Sequence, residues 1–238
     1  MSETIWQDVE YGSYVADLPL WEKLSGAVDG PVLELGCGSG RVALHLARSG
    51  HQVTGLDVDA DLVAELRRRA AAEGLAVNGE AGDAAGFALG RRFALIIAPM
   101  QLIQLLPGRQ GRVRCLRCIR EHLAAGGRAA LAYMEAVTEG VAPLSTLPDV
   151  KELDGWVYSS RPLGVRQENG AYVMDLLRQR VSPDGRLTDE PAAVRLTQVS
   201  AAELEAEARD AGLRPAGRAR IAADDDHVGS EVLLLEAA

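Results

Sequence analysis

"VLELGCGSGR", residues 32–41, sets three glycines in five positions directly after an apolar run. The run reads as a short strand preceded by Pro31. Residues 40–49 read as a helix with Val42, Ala43 and Leu46 on one stripe. The turn between them is nearly stripped of side chains, so a ligand can approach its backbone. A dinucleotide turn has the spacing G-x-G-x-x-G and seats pyrophosphate on the helix N-terminus. Here Gly36, Gly38 and Gly40 give G-x-G-x-G, and Glu34 stands two residues ahead of the first glycine. A carboxylate at that point repels pyrophosphate and favours a ligand with a cationic part. No G-K-[ST] follows, so the phosphate-cradling loop of nucleoside triphosphatases is missing too.

Working outward, Leu20, Trp21 and Leu24 lie at helical spacing within residues 16–27. Val53–Leu56 form a second strand. Asp59 or Asp61 caps a helix running to about Glu73, which Gly74 ends. A weaker strand follows at 75–80. Phe93–Ala98 is a near-continuous apolar run, as expected of a strand buried on both faces. A helix over 109–124, ended by Gly126-Gly127, leads into a strand at 128–134. This alternation implies a parallel sheet with helices on both faces, whose ligands sit beyond the carboxyl ends of the strands.

The pattern changes after residue 135. Residues 171–181 and 186–197 read as strands around the turn "SPDG" at 182–185. Residues 200–212 return to helix, with Ser200 and Glu203 spaced for a capping box. "GRARIAA" and "EVLLLEA" read as a final strand pair returning to the sheet. Residues 135–199 are therefore expected to be a partly antiparallel insertion over the ligand side. The expected division is an N-terminal helical segment 1–30, a core of 31–134 and 200–238, and the covering insertion 135–199.

The 238 residues are 47% apolar, enough for one large domain with an insertion. The net charge of −9 and sequence pI of about 5.0 weigh against a nucleic-acid partner. Three cysteines with no framework spacing fit a reducing compartment. No signal core and no membrane-length apolar run are present, so the expectation is a cytoplasmic protein.

Asp57 ends the second strand, 17 residues after Gly40. A carboxylate there can accept from both hydroxyls of a ribose. Asp83, in "AGDAAGF", follows the third strand and can accept from the exocyclic amine of a purine. The ligand implied has a ribose, a base, a positive group and no phosphate. S-adenosylmethionine meets each requirement.

With "VTGLDVD", "GDA", "FALIIAPMQLIQLL" and "HLAAGGRAALAY" following in order, the chain resembles the class I S-adenosylmethionine-dependent methyltransferases over roughly residues 30–134, and weakly in its last strands. The resemblance implies an α/β fold: a three-layer, Rossmann-like, seven-stranded sheet with the β insertion capping the active site. It places the backbone of Gly36, Cys37 and Gly38 along the methionine part of the cofactor. It puts Asp57 on the ribose, Val58 against the adenine, Asp83 and Ala84 at the adenine edge, and Met100 and Gln101 near the transferred methyl. Gly40 belongs to the same turn. Arg41 is a candidate for the cofactor carboxylate, and Tyr11 and Tyr14 for reaching cofactor or substrate. Catalytic candidates are His227, Tyr14 and Gln101.

Where enzymes methylating amino groups of DNA carry N/D-P-P-Y/F, this chain has Ala98-Pro99-Met100-Gln101. That departure and the acidic charge point to a small-molecule acceptor at O or N, with no nucleic acid, no membrane and a homodimer left open. The competing readings are a non-catalytic cofactor-binding protein and an NAD-type oxidoreductase. His45, His51 and His122 read as surface or packing residues, "RRR" at 67–69 as a solvated helix face, and Cys115-x-x-Cys118 as helix packing with no metal. Tyr11, Tyr14, Trp21, Trp156, Tyr158 and Tyr172 are candidates for the acceptor pocket.

Overall fold

The computed structural model describes residues 3–135, 147–223 and 229–238. Two helices open it, α1 (Glu3–Tyr11) and α2 (Leu18–Gly26). Then come β1 (Val32–Leu35), α3 (Arg41–Arg48), β2 (Val53–Asp57), α4 (Ala60–Glu73), β3 (Val77–Ala81) and β4 (Phe93–Ala98). The short α5 (Leu102–Leu105) leads to α6 (Gly108–His122) and β5 (Leu123–Tyr133). Four strands follow: β6 (Asp149–Leu153), β7 (Trp156–Glu168), β8 (Ala171–Val181) and β9 (Leu187–Thr197). The chain closes with α7 (Ala201–Asp210), β10 (Leu213–Ile221) and β11 (Ser230–Ala237).

Seven strands form one sheet in the order β10-β11-β5-β4-β1-β2-β3. β1, β2, β3, β4 and β5 pair in parallel, while β11 runs antiparallel to both β5 and β10. Strand order reverses between β1 and β4, so the ends of those strands part and leave a crevice there. β1 is buried along its length, with alternate residues going to opposite layers. Val32 joins Trp21, Val42 and Leu46 in one cluster, while Leu33 and Leu35 join Ile96, Leu116 and Leu204 in the other. β6–β9 form a separate antiparallel sheet of four strands in sequence order.

Local signals behave as their chemistry predicts. Asp59 caps α4, accepting from the N–H groups of Asp61 and Leu62, and Gly74 ends that helix at φ 65°. Ser200 and Glu203 form the capping box of α7. α6 stops at His122, two residues short of the expected end. Gly126 and Gly127 lie inside β5, beside an irregularity in its pairing with β4. Helix α1 and strands β6 and β7 are additions to the sequence reading.

The arginine run is a correction in part. Arg67 and Arg68 are exposed, Arg68 pairing with Glu65, while Arg69 is half-buried. Arg67 donates to the Gly79 carbonyl on β3, and Arg69 donates to Asp8 on α1. Helix α4 is wedged between those two elements, so its charged face is used on both sides. His122 is likewise structural: its Nδ1 bonds the Cys118 carbonyl at 2.7 Å and its Nε2 accepts from the Leu89 N–H at 3.0 Å. No helix among the described residues is long and apolar enough to cross a membrane.

Candidate cofactor and acceptor cleft

A cleft of about 1600 Å³ opens over the carboxyl ends of β1, β2, β3 and β4 and extends beneath the four-stranded sheet. It is lined by Tyr14, Glu34, Gly36, Cys37, Arg41, Asp57, Val58, Asp83, Ala84, Met100 and Gln101. Eleven of the thirteen residues expected at the cofactor thus converge. Gly38 and Gly40 are the exceptions. A Cβ on Gly38 would sit 2.5 Å from the Gln7 amide nitrogen on α1, and one on Gly40 would meet Leu66 at 2.3 Å. These two glycines admit neighbouring protein, while Gly36 is exposed on the cleft floor.

Four donors of the turn are already engaged. Gly36 and Cys37 N–H both donate to the Leu56 carbonyl, Gly38 N–H to Asp57, and Gly40 N–H to the Cys37 carbonyl. A phosphate loop needs those groups free and aimed at the ligand. This turn instead braces β1 against β2. Cys37 is small because Gly55 of β2 lies under its sulfur, with only 2.7 Å left for a Cβ there. Burial, with Glu34 and Asp57 nearby, pushes its thiol up and keeps it inert.

Glu34 is 3% exposed, and its Oε2 has no hydrogen-bond partner. Burial raises its carboxyl well above the usual range, against the opposing pull of Arg41. Arg41 lines the cleft, but its guanidinium is held by both Asp17 oxygens, at 2.6 and 2.7 Å, and by the Tyr14 carbonyl. It is therefore a braced cation stacked 5.0 Å above the Tyr14 ring, not a free arm for the cofactor carboxylate. Asp57 Oδ2 accepts from Gly38 and Oδ1 from the Asp59 N–H, leaving one lone pair on each oxygen for ribose hydroxyls. Asp83 accepts from the Ala85 N–H through Oδ1, so it also caps its own turn.

Met100 and Gln101 both adopt left-handed backbone, at φ 51° and 56°. Two such non-glycine residues in succession mark strain of order 1–3 kcal/mol each, held by surrounding structure at the cleft. Gln101 donates to Ser230 Oγ at 2.6 Å. The fully buried Gln104 accepts from the Met134 N–H and donates to the Met134 and Thr197 carbonyls. It ties α5 to both chain ends of the residues preceding and following the small sheet. The side chains placed nearest this strained turn were visible in the sequence; Gln104 was not, because its partners are remote backbone groups.

Helix α1 is the other contribution that sequence reasoning missed. Its Asp8 accepts from Ser39 in the glycine turn, Arg69 on α4 and Lys151 on β6. Burial alone would push Asp8 up, but Arg69 and Lys151 together hold it below its ordinary value. Glu10 accepts from Ser160 and Arg178 of the small sheet, and Trp6 packs edge-on against Tyr158. α1 therefore clamps the cleft between the two sheets. The signal was Ile5, Trp6 and Val9 at helical spacing. Asp8→Ala should weaken cofactor binding by about tenfold, the worth of one hydrogen bond to a charged group, and speed limited proteolysis within α1. Calorimetry and a proteolysis time course read both effects.

His227 lies outside the described residues, and among the described residues no histidine lines the cleft. Tyr11 lines it, with its phenol pushed up to about 12 by burial and by Glu10, so it stays protonated at neutral pH.

A buried carboxyl with one unpartnered oxygen fits an ammonium, a two-oxygen acceptor fits vicinal hydroxyls, and a turn with most of its donors spent fits a ligand without phosphate. The residues present fit S-adenosylmethionine. Residues 32–127 match the family model described as "Methyltransferase domain". Among solved structures, the chain is similar to the CcbJ methyltransferase from Streptomyces caelestis, at 25% identity and TM-score 0.70, covering 96% of this chain and 94% of that one. It shares its fold with S-adenosylmethionine-bound CalS10 from Micromonospora echinaspora, an amino pentose methyltransferase involved in calicheamicin biosynthesis. That likeness is 18% identical at TM-score 0.73, covering 97% and 96% of the two chains. A curated relative from Parasynechococcus marenigrum (strain WH8102), named as the uncharacterized RNA methyltransferase SYNW1228, is 37% identical over 75 residues. That segment spans 29% of this chain and 16% of the relative's length.

Proposed function

We propose that this protein transfers the methyl group of S-adenosylmethionine to an oxygen or nitrogen of a small organic acceptor in the cytoplasm. The observation that carries the reading is the donor-spent glycine turn ringed by Glu34, Asp57 and Asp83 at the carboxyl ends of β1, β2 and β3. An NAD-type oxidoreductase would need that turn's N–H groups for pyrophosphate. Residues 31–134 and 200–238 act as the donor-binding core, residues 135–199 cover the acceptor, and residues 1–30 close the cleft.

The bound donor supplies an electrophilic methyl on a cationic sulfur. The chain's work is then alignment and exclusion of water, which proximity can reward with several kcal/mol. Glu34 holds the ammonium, Asp57 the ribose, and Asp83 the adenine edge beside Val58 and Ala84. Met100 and Gln101 bring the end of β4 to the reacting centre. Seven carboxyl side chains and two arginines line the cleft, a balance that repels a phosphate polymer and favours a neutral or cationic small molecule. The RNA substrate class in that relative's name is therefore not carried over.

The test is turnover to S-adenosylhomocysteine against a panel of small amines and alcohols. Turnover with a panel member supports the proposal. Tight cofactor binding with no turnover on any member favours a non-catalytic cofactor-binding protein.

Glu34 gives the reading a pH signature. The free folded protein keeps a proton on Glu34 that the unfolded chain sheds above the ordinary carboxylate value. Its contribution to stability is thus full at low pH and is lost as pH rises toward the raised folded value. A bound ammonium reverses the preference and expels the proton. Cofactor affinity should therefore rise with pH through this window, and the heat of binding should vary with the ionisation enthalpy of the buffer. Glu34→Gln should abolish that buffer dependence and flatten the pH profile of melting. Equal buffer dependence in both proteins would remove Glu34 from the ammonium site.

A further inference from the structure

The cleft is larger than the cofactor needs, and its surplus has one chemical character. A site for one drug-sized ligand is roughly 300–1,000 Å³, against about 1600 Å³ here. Among the described residues, ten large apolar side chains are exposed, and six of them line this cleft. Exposure of that kind, gathered in one concavity, marks a binding surface.

Two of the six, Leu163 and Val165, belong to β7, and the small sheet adds half-buried apolar side chains beside them on one face. Val165, Met174 and Val194 stand directly opposite one another across β7, β8 and β9, and Gln167, Tyr172 and Leu196 form the next row. All six line the cleft. The same face continues to Ser160 and Arg178, and there α1 covers it through Glu10 and Trp6. The face is thus closed at the α1 end and open at the end continuous with Met100 and Gln101. Val165 is 45% exposed and its neighbour Leu163 53%, although both sit inside the cavity.

We propose, resting on the methyltransferase reading above, that the acceptor is an amphipathic small molecule: an apolar alkyl or aryl body lies on the Val165–Met174–Val194 row, with Gln167 and Tyr172 supplying the polar edge.

The experiment uses the full chain saturated with S-adenosylhomocysteine and the neutral apolar fluorophore N-phenyl-1-naphthylamine. Calorimetry with S-adenosylhomocysteine is run separately on each protein without added ligand. The wild type should bind the fluorophore once per chain. Met174→Asp, and Leu163→Asp at a site exposed enough to tolerate charge, should each weaken it by at least about tenfold. Val150→Asp, exposed and outside the cleft, should not change it. Product affinity should stay unchanged in all three variants. Failure of the fluorophore to bind, or equal binding by all four proteins with product affinity intact, overturns the apolar platform and spares the methyltransferase reading. Failure to bind the product sinks both.

Discussion

Asp57→Ala should weaken S-adenosylmethionine binding by about 1–3 kcal/mol, or roughly 5- to 150-fold. Two losses combine in that figure. The ribose hydroxyls lose their acceptor, and the Gly38 and Asp59 N–H groups, held at 2.8 and 3.0 Å, lose theirs. Asp57→Asn separates the two contributions only in part, because its amide must turn an N–H toward one backbone donor. Both variants should therefore weaken binding, the alanine more so, while Val58→Ala should act only through lost contact with the base. Calorimetric titration of the three variants decides the matter. Unchanged affinity in Asp57→Ala would mean that the ribose lies elsewhere.

Glu207→Ala carries the largest expected cost in stability, about 3–5 kcal/mol. Arg112 and Glu207 are 5% and 3% exposed, and they meet through two hydrogen bonds of 2.7 and 2.8 Å between α6 and α7. Removing the carboxylate leaves a buried guanidinium with no counter-charge, and its Nη1 already has no partner. In a chain of this size the melting temperature should fall by roughly 10 °C or more. Removing both charges with Arg112→Met and Glu207→Leu together should recover most of that loss, since an apolar pair of similar volume avoids desolvation. A double variant as unstable as the single one would show that the pair contributes through packing and not through charge.

These two cases also show what the sequence can carry. Asp57 was legible because it sits at a fixed offset from a glycine turn, at the end of an apolar run. β1, β2, β4, the cap of α4 and the capping box of α7 were legible for the same reason: each is decided by residues within a few positions. The Arg112–Glu207 pair joins residues 95 apart, and neither side chain announces its partner. α1 makes sense only once Tyr158 and Arg178 arrive from the small sheet to cover it. β7 was hidden by a register shift between Pro162 and Gly164, which interrupts the two-residue alternation. Arg41 illustrates a subtler gap. Its place at the start of α3 put it in the cleft, but Asp17, 24 residues earlier, had already engaged it.

The central claim is that the turn at residues 32–41 serves a cationic, phosphate-free cofactor. Parallel calorimetric titrations with S-adenosylmethionine, S-adenosylhomocysteine and NAD test it most directly. The structure predicts saturable one-to-one binding of the first two and no heat with NAD. Binding of NAD, with neither sulfur compound bound, would contradict it.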